Sequence, residues 1–158
     1  MRKTLLLPFI LLAAYSFGQK FTLNQLQSLY NADNSFLDTY AVQKDYQFEY
    51  AKDSIVSYNY KDGSMYNRIA AETLPGMFDK SAKERCIAWT FTSTENYLAF
   101  KKELTDQDYE LFENLTGNNN YTSAQNFYYT NKEYVIQLTV AKMDFYKLPV
   151  YVVMVRKI

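Results

Sequence analysis

Apolar residues recur at helical spacing in two parts of the chain. One predicted helix follows Thr22, which suits an N-cap, and a second, shorter helix covers residues 36–41. A third follows Ser93 or Thr94, with Glu95 placing a negative charge in its first turn, where it suits the helix dipole. The three apolar faces consist of Leu23, Leu26, Leu29 and Tyr30, of Phe36, Leu37, Tyr40 and Ala41, and of Tyr97, Phe100 and Leu104 with Leu98 beside them.

After each helical stretch the pattern changes to the alternation that is typical of strands. Asp62-Gly63 is the clearest hairpin turn, because both residues tolerate positive φ. Residues 71–84, which contain Pro75 and Gly76, are predicted to form a long loop, and residues 117–120 a flexible turn. The predicted strands are 46–51, 55–60, 65–70, 85–92, 109–115, 125–130, 134–141 and 149–156.

The two stretches 22–92 and 93–158 share this order of one helical region followed by four strands. Asp45-Tyr46 recurs as Asp108-Tyr109, 63 positions later, and residues 86–91 align with 150–155 at an offset of 64. These matches predict a duplicated unit within a single domain. We therefore expect an α+β fold, with an antiparallel sheet of about eight strands from two αββββ repeats and the helices packed on one face.

This order of elements resembles the tandem repeats of the beta-lactamase inhibitory proteins. The resemblance covers most of the chain after residue 18 and implies a broad sheet face turned towards a protein partner. No residue-level binding motif of that family is matched, and its two-cysteine loops are absent. The phrases Lys44-Asp45-Tyr46 and Asn131-Lys132-Glu133-Tyr134 are also similar to small exported bacterial proteins of unassigned function. The second similarity implies an exported location for the protein but no chemical activity.

Residues 1–18 have the order of parts found in a cleavable signal peptide. Arg2 and Lys3 precede an apolar run over residues 4–17, and Ser16 and Gly18 offer small residues at the two positions a signal peptidase requires. A membrane-anchoring helix is the weaker interpretation, because a span needs about 20 apolar residues. The sequence thus predicts export to the periplasm or the extracellular space, with Gln19 as the first mature residue.

The remaining 140 residues are nearly neutral, since loss of Arg2 and Lys3 leaves 15 basic against 17 acidic side chains. Such a balance disfavours binding to nucleic acid or to an anionic membrane surface. Cys86 is the single cysteine, so no intramolecular disulfide forms. Its apolar surroundings predict a buried thiol; an intermolecular bridge or a reactive thiol is the alternative.

The chain lacks the residues that most common catalytic mechanisms require. It contains no histidine, which removes the usual general base and the usual zinc ligand, and its four glycines form no phosphate loop. The acidic run 106–110 resembles the start of a calcium loop, but Leu111 and Gly117 stand where the glycine and glutamate are needed. We expect no cofactor, no metal site and no catalytic residues. Glu72 and Asp79 remain as one carboxylate pair for acid–base work.

Tyrosine is the residue in excess, with 16 copies beside 11 phenylalanines. Strand membership accounts for much of this content; an exposed aromatic face that binds a protein, peptide or glycan is the alternative. The candidate binding residues on such a face are Tyr66, Arg68, Tyr128 and Tyr151. The favoured function is a non-catalytic exported binding module, with a histidine-free carboxylate hydrolase or a structural component of the cell envelope as alternatives. Partner and oligomeric state are left open.

Overall fold

The computed structural model describes residues 20–62, 65–77, 79–119, 122–143 and 147–158, so the predicted signal peptide lies outside the described residues. The described part contains three helices and eight strands, which confirms the α+β class. The elements are α1 (Leu23–Asn31), α2 (Asn34–Gln43), β1 (Gln47–Lys52), β2 (Ile55–Asp62), β3 (Met65–Pro75), β4 (Lys83–Phe91), α3 (Thr94–Asp106), β5 (Glu110–Asn119), β6 (Thr122–Thr130), β7 (Tyr134–Met143) and β8 (Val150–Lys157).

The helices begin where the sequence places capping residues. Thr22 and Gln25 form a capping box at the start of α1, in which each side chain accepts a hydrogen bond from the other residue's backbone N–H. Asp33 caps α2, and Ser93, one of the two predicted candidates, caps α3. These side chains satisfy N–H groups that have no partner inside the helix.

The eight strands form one antiparallel sheet in the order β1-β2-β3-β4-β8-β7-β6-β5. Each half of the chain is a four-stranded meander, and the meanders join where β4 pairs with β8, from Ile87 opposite Val155 to Phe91 opposite Tyr151. We call this junction the seam. It leaves β1 and β5 as the two outer edges of the sheet.

Two stretches predicted as loop or turn belong to strands instead. β3 continues to Pro75 and β4 begins at Lys83, so the connection is limited to residues 76–82. β5 likewise continues through Gly117 to Asn119, paired with β6. In both places pairing with the neighbouring strand outweighs the local preference of proline, glycine and asparagine for turns.

The core lies between the helices and the sheet. The fully buried ring of Trp89 stacks on Phe91 at a centroid distance of 4.0 Å and meets Phe21 and Phe100 edge-on. Asn67 satisfies the polar part of this core, because its Oδ1 atom accepts hydrogen bonds from Trp89 Nε1 and from the hydroxyl of Tyr46, both at 2.7 Å. Burial of aromatic and aliphatic side chains at alternate strand positions thus fixes which face the helices cover.

The two halves share local irregularities as well as element order. Asp45 and Asp108 both adopt positive φ, 60° and 57°, directly after a helix. Both edge strands then carry a register shift, between Phe48 and Tyr50 in β1 and between Leu111 and Glu113 in β5. These features keep the predicted offset of 63 between the halves. Duplication as their origin stays a prediction.

Candidate functional site

The sheet has a second face, which points away from the helices and is covered by no described helix. Because side chains alternate along a strand, the register places one residue of each strand in a single row across this face. We call this surface the helix-free face; its central row is Tyr50, Ser57, Ala70, Ala88, Met154, Gln137, Tyr128 and Glu113.

An ionic network on β1, β2 and β3 occupies one half of the helix-free face. Arg68 donates from Nε to Ser57 Oγ at 2.7 Å and from Nη2 to the hydroxyl of Tyr50 at 3.0 Å. It also forms ion pairs with Glu49 at 3.4 Å and Glu72 at 3.5 Å. Ser57 completes the network by donating to Glu49 at 2.7 Å. We call these five residues the Arg68 network.

The Arg68 network holds its charges in fixed positions. The side chain of Arg68 is only 17% exposed, so its guanidinium is largely removed from water and needs the carboxylates beside it. Two carboxylates face one guanidinium, which leaves the network with an excess of one negative charge when all three groups are ionised. The oxygens of Glu49 and Glu72 are therefore engaged in holding Arg68.

An uncharged network occupies the other half of the face. Thr139 donates to Asn126 Oδ1 at 2.7 Å, and the amide nitrogen of Gln137 lies 3.1 Å from the same oxygen and 3.2 Å from Thr139 Oγ1. Tyr128 neighbours Gln137 in the central row and packs against Phe112 at a centroid distance of 6.1 Å. Burial raises the pKa of Tyr128, with Glu113 adding to the effect, so its hydroxyl stays protonated at neutral pH.

Short and apolar side chains separate the two networks. Ala70 and Ala88 point to the helix-free face but are buried, because the longer side chains around them cover their methyl groups. Across the seam Val152 and Met154 continue the strip and are half-buried. The result is an apolar strip between two hydrogen-bonded networks, and Val152 and Met154 are its partly exposed members.

A groove of 280 Å³ lies where the β3–β4 connection meets this face. Arg156 anchors the connection by donating to the carbonyl oxygen of Pro75 at 3.3 Å and lies 4.0 Å from Glu84. Its buried Nε atom has no hydrogen-bond partner among the described residues. The groove also takes in Tyr128 and Gln137, so it adjoins the uncharged network, but the charged residues Lys80, Glu113 and Arg156 line it as well.

Two of the four predicted binding residues lie on the helix-free face. Arg68 is the centre of the ionic network, and Tyr128 lies in the central row of the opposite half. The backbone of Tyr66 pairs with Lys61 in β3, but the side chain of Tyr66 falls outside the described part.

The prediction that Tyr151 is exposed is wrong. This residue is 4% exposed and lies on the helix side of β8, where its ring stacks on Tyr97 at 4.6 Å and contacts Phe91. Its hydroxyl lies 2.9 Å from the hydroxyl of Thr94 at the start of α3. β8 is apolar on both faces, so alternation alone does not distinguish them, and the packing of α3 decides which side is buried.

Sequence reasoning missed Tyr50, Glu49 and Ser57 as members of the site. Strict alternation from Tyr46 puts Tyr50 on the same face as Tyr46 and Phe48. The bulge between Phe48 and Tyr50 adds one residue and turns Tyr50 to the opposite face. One signal of the bulge was available in the sequence. The Asp-Tyr phrase recurs before each edge strand, and both copies precede a bulge.

The two residues of the predicted carboxylate pair have separate partners. Glu72 belongs to β3 and pairs with Arg68, whereas Asp79 accepts hydrogen bonds from the N–H and hydroxyl of Ser81 in its own turn. Those hydrogen bonds lower the pKa of Asp79. Within the described residues, no group of three or more acidic or cysteine side chains is arranged to hold a metal ion.

Comparisons with protein-family models, with curated proteins and with solved structures found no match for this chain. None of the described helices has the length and hydropathy needed to cross a membrane. The function therefore has to be inferred from the chemistry of the surface.

Proposed function

We propose that this chain is an exported, non-catalytic binding module that holds a protein partner on its helix-free face. The observation that carries the proposal is the presence of two preformed hydrogen-bonded networks on one sheet face, with an apolar strip between them. The resemblance to the beta-lactamase inhibitory proteins implies the same use of a broad sheet face. Export rests on the signal-like segment 1–18.

The width of the face supports a protein as the partner. Eight strands about 4.8 Å apart make a row roughly 34 Å across, which matches a partner surface of about 800 Å² better than a small molecule. Val152 and Met154, which are half-buried, supply the apolar contact surface of the strip, since Ala70 and Ala88 are covered by their neighbours. Tyr50 and Tyr128 stand on opposite sides of that strip and provide aromatic contact area.

Preorganisation supports binding further. The Arg68 network and the cluster of Asn126, Gln137 and Thr139 are held by internal hydrogen bonds. Side chains that are already ordered lose little additional entropy on association. The same bonds leave Glu49 and Glu72 committed to Arg68, which gives a carboxylate-based hydrolase no support from this face.

The proposal is tested by comparing two sets of substitutions of similar size. Tyr50→Ala with Tyr128→Ala removes aromatic surface from the helix-free face, whereas Phe36→Ala with Leu98→Ala removes exposed apolar surface from the helices. The mature protein is used to capture its partner from the envelope fraction, and the affinity for that purified partner is then measured for each variant.

We expect the first pair to weaken binding by about 2 kcal/mol or more, as truncated hot spots do, and the second pair to leave it unchanged. Thermal unfolding monitored by circular dichroism establishes that both variants remain cooperatively folded. Loss of binding in the helix variant alone would place the interface on the other side of the molecule and refute the proposal.

A further inference from the structure

β5 is a long edge strand with an unpaired side. It is the last strand in the sheet order, contains ten residues and pairs only with β6 in the described sheet. All residues from Glu110 to Gly117 are exposed. Three large apolar side chains, Leu111, Phe112 and Leu115, are each about half exposed along it. An edge of this kind offers free backbone N–H and C=O groups to another strand.

The two edges of the sheet differ in how well they are protected against pairing. β1 has only six residues, carries a bulge and includes the charged residues Glu49 and Lys52. β5 carries a bulge near its start, but residues 114–119 then pair with β6 in unbroken register and contain neither a charge nor a proline. The second part of β5 therefore lacks the usual features that prevent edge-to-edge association.

We infer that this segment pairs antiparallel with the same segment of a second copy of the chain. A two-fold axis at Thr116 places Thr116 opposite its own copy and Leu115 opposite Gly117 of the second copy. A Cβ atom added at Gly117 would meet no atom within 4 Å, so the space beside it is open to a leucine side chain. The large residue of each copy thus packs over the small residue of the other.

In a two-fold interface a segment faces its own copy, so like charges must not lie opposite each other. Self-pairing of β5 meets this requirement. With the axis at Thr116, Glu113 lies opposite Asn119 and not opposite another acid. Directly opposed residues share a face, so the helix-free faces of the two copies become continuous. This inference stands independently of the proposed function, since it concerns the edge of the sheet and not its face.

One pair of strands buries less surface than a standard interface of about 1,600 Å². We therefore expect a dimer that dissociates on dilution, which sedimentation velocity over a wide range of protein concentration detects. Thr116→Lys sets two like charges directly opposite each other and should raise the dissociation constant several-fold. Thr116→Glu should do the same, and an equimolar mixture of the two variants should restore association as a heterodimer.

Ala51→Lys supplies the matched control, because it adds the same charge at an exposed position of the other edge strand, β1. This variant should dimerise as the unmodified protein does. Circular dichroism melts establish that each variant is folded. A protein that stays monomeric at every concentration overturns the inference, and so does a dimer that persists unchanged in Thr116→Lys.

Discussion

Cys86 shows how the environment of one residue sets its chemistry. It points to the helix-free face, yet it is fully buried, because its side chain is short and lies between β3 and β8. Burial raises the pKa of its thiol to about 11, and the nearby Glu72 carboxylate adds to the effect. The thiol form therefore predominates at neutral pH, and the thiol is a poor nucleophile.

We expect Cys86 to react slowly with thiol reagents at pH 8 in the native protein and rapidly after unfolding. The free energy of unfolding should fall between about pH 9 and 11, because the unfolded thiol loses its proton there while the native thiol keeps it. Stability from this group is thus complete below pH 9 and is lost as the pH rises.

Cys86→Ala separates this contribution from those of other groups. Tyr58 and Tyr109 also have pKa values raised to about 12 by burial, so they reduce stability at higher pH in both proteins. The variant should lose roughly 1 kcal/mol at neutral pH through the small truncation and show a shallower decline between pH 9 and 11. Urea unfolding at a series of pH values measures the stability loss and its pH dependence. Rapid labelling of Cys86 in the native protein would contradict the assignment of a buried, protonated thiol.

Residue-level placement is predictable from sequence only where the alternation is unambiguous. Arg68 and Tyr128 were both predicted to line an exposed strand face, and both lie on the helix-free face. Tyr151 was misplaced because β8 is apolar on both faces, and Tyr50 was missed because a bulge reverses the alternation. Both failures concern packing between elements, which a local pattern does not contain.

At the scale of elements, the capping box of α1 is a separable contribution to stability. Thr22→Ala removes the hydroxyl that accepts from the N–H of Gln25 and should lower the free energy of unfolding by about 1 kcal/mol. Thr39→Ala is the matched control, since Thr39 is exposed within α2 and its hydroxyl donates to the carbonyl oxygen of Ser35. It should change stability by less than about 0.5 kcal/mol. Equal losses in both variants would show that the cap contributes nothing specific.

The elements themselves were largely predictable, because the helices carry clear caps and each half alternates in the manner of strands. The ends of the strands were harder to predict. Pro75 and Gly117 are turn-forming residues by local preference, yet both lie within strands because Lys83 and Ala124 pair with them. Long-range pairing of this kind is decided by the whole sheet.

At the scale of the whole molecule, the burial of Phe21 and the small-residue rule both limit where the predicted signal peptide can be cleaved. Phe21 is fully buried against Trp89, so cleavage after Phe21 would remove a core aromatic ring. Cleavage after Gly18 keeps that ring and satisfies the small-residue rule. We expect the intact mass of the exported protein to correspond to residues 19–158. Gly18→Arg should block cleavage at this site and leave the segment 1–18 attached, whereas a wild-type protein that keeps this segment would contradict export by cleavage.

The seam between β4 and β8 has a consequence for the rate of folding. Six of the seven strand pairings in the described sheet join strands that are consecutive in the chain, and such hairpins form within microseconds. The β4–β8 pairing joins residues such as Ala88 and Met154, between which α3 and three further strands intervene. Closing that loop carries the largest entropic penalty and gives the most non-local contacts. Docking of one meander on the other is thus the slow step that we expect to limit the folding rate.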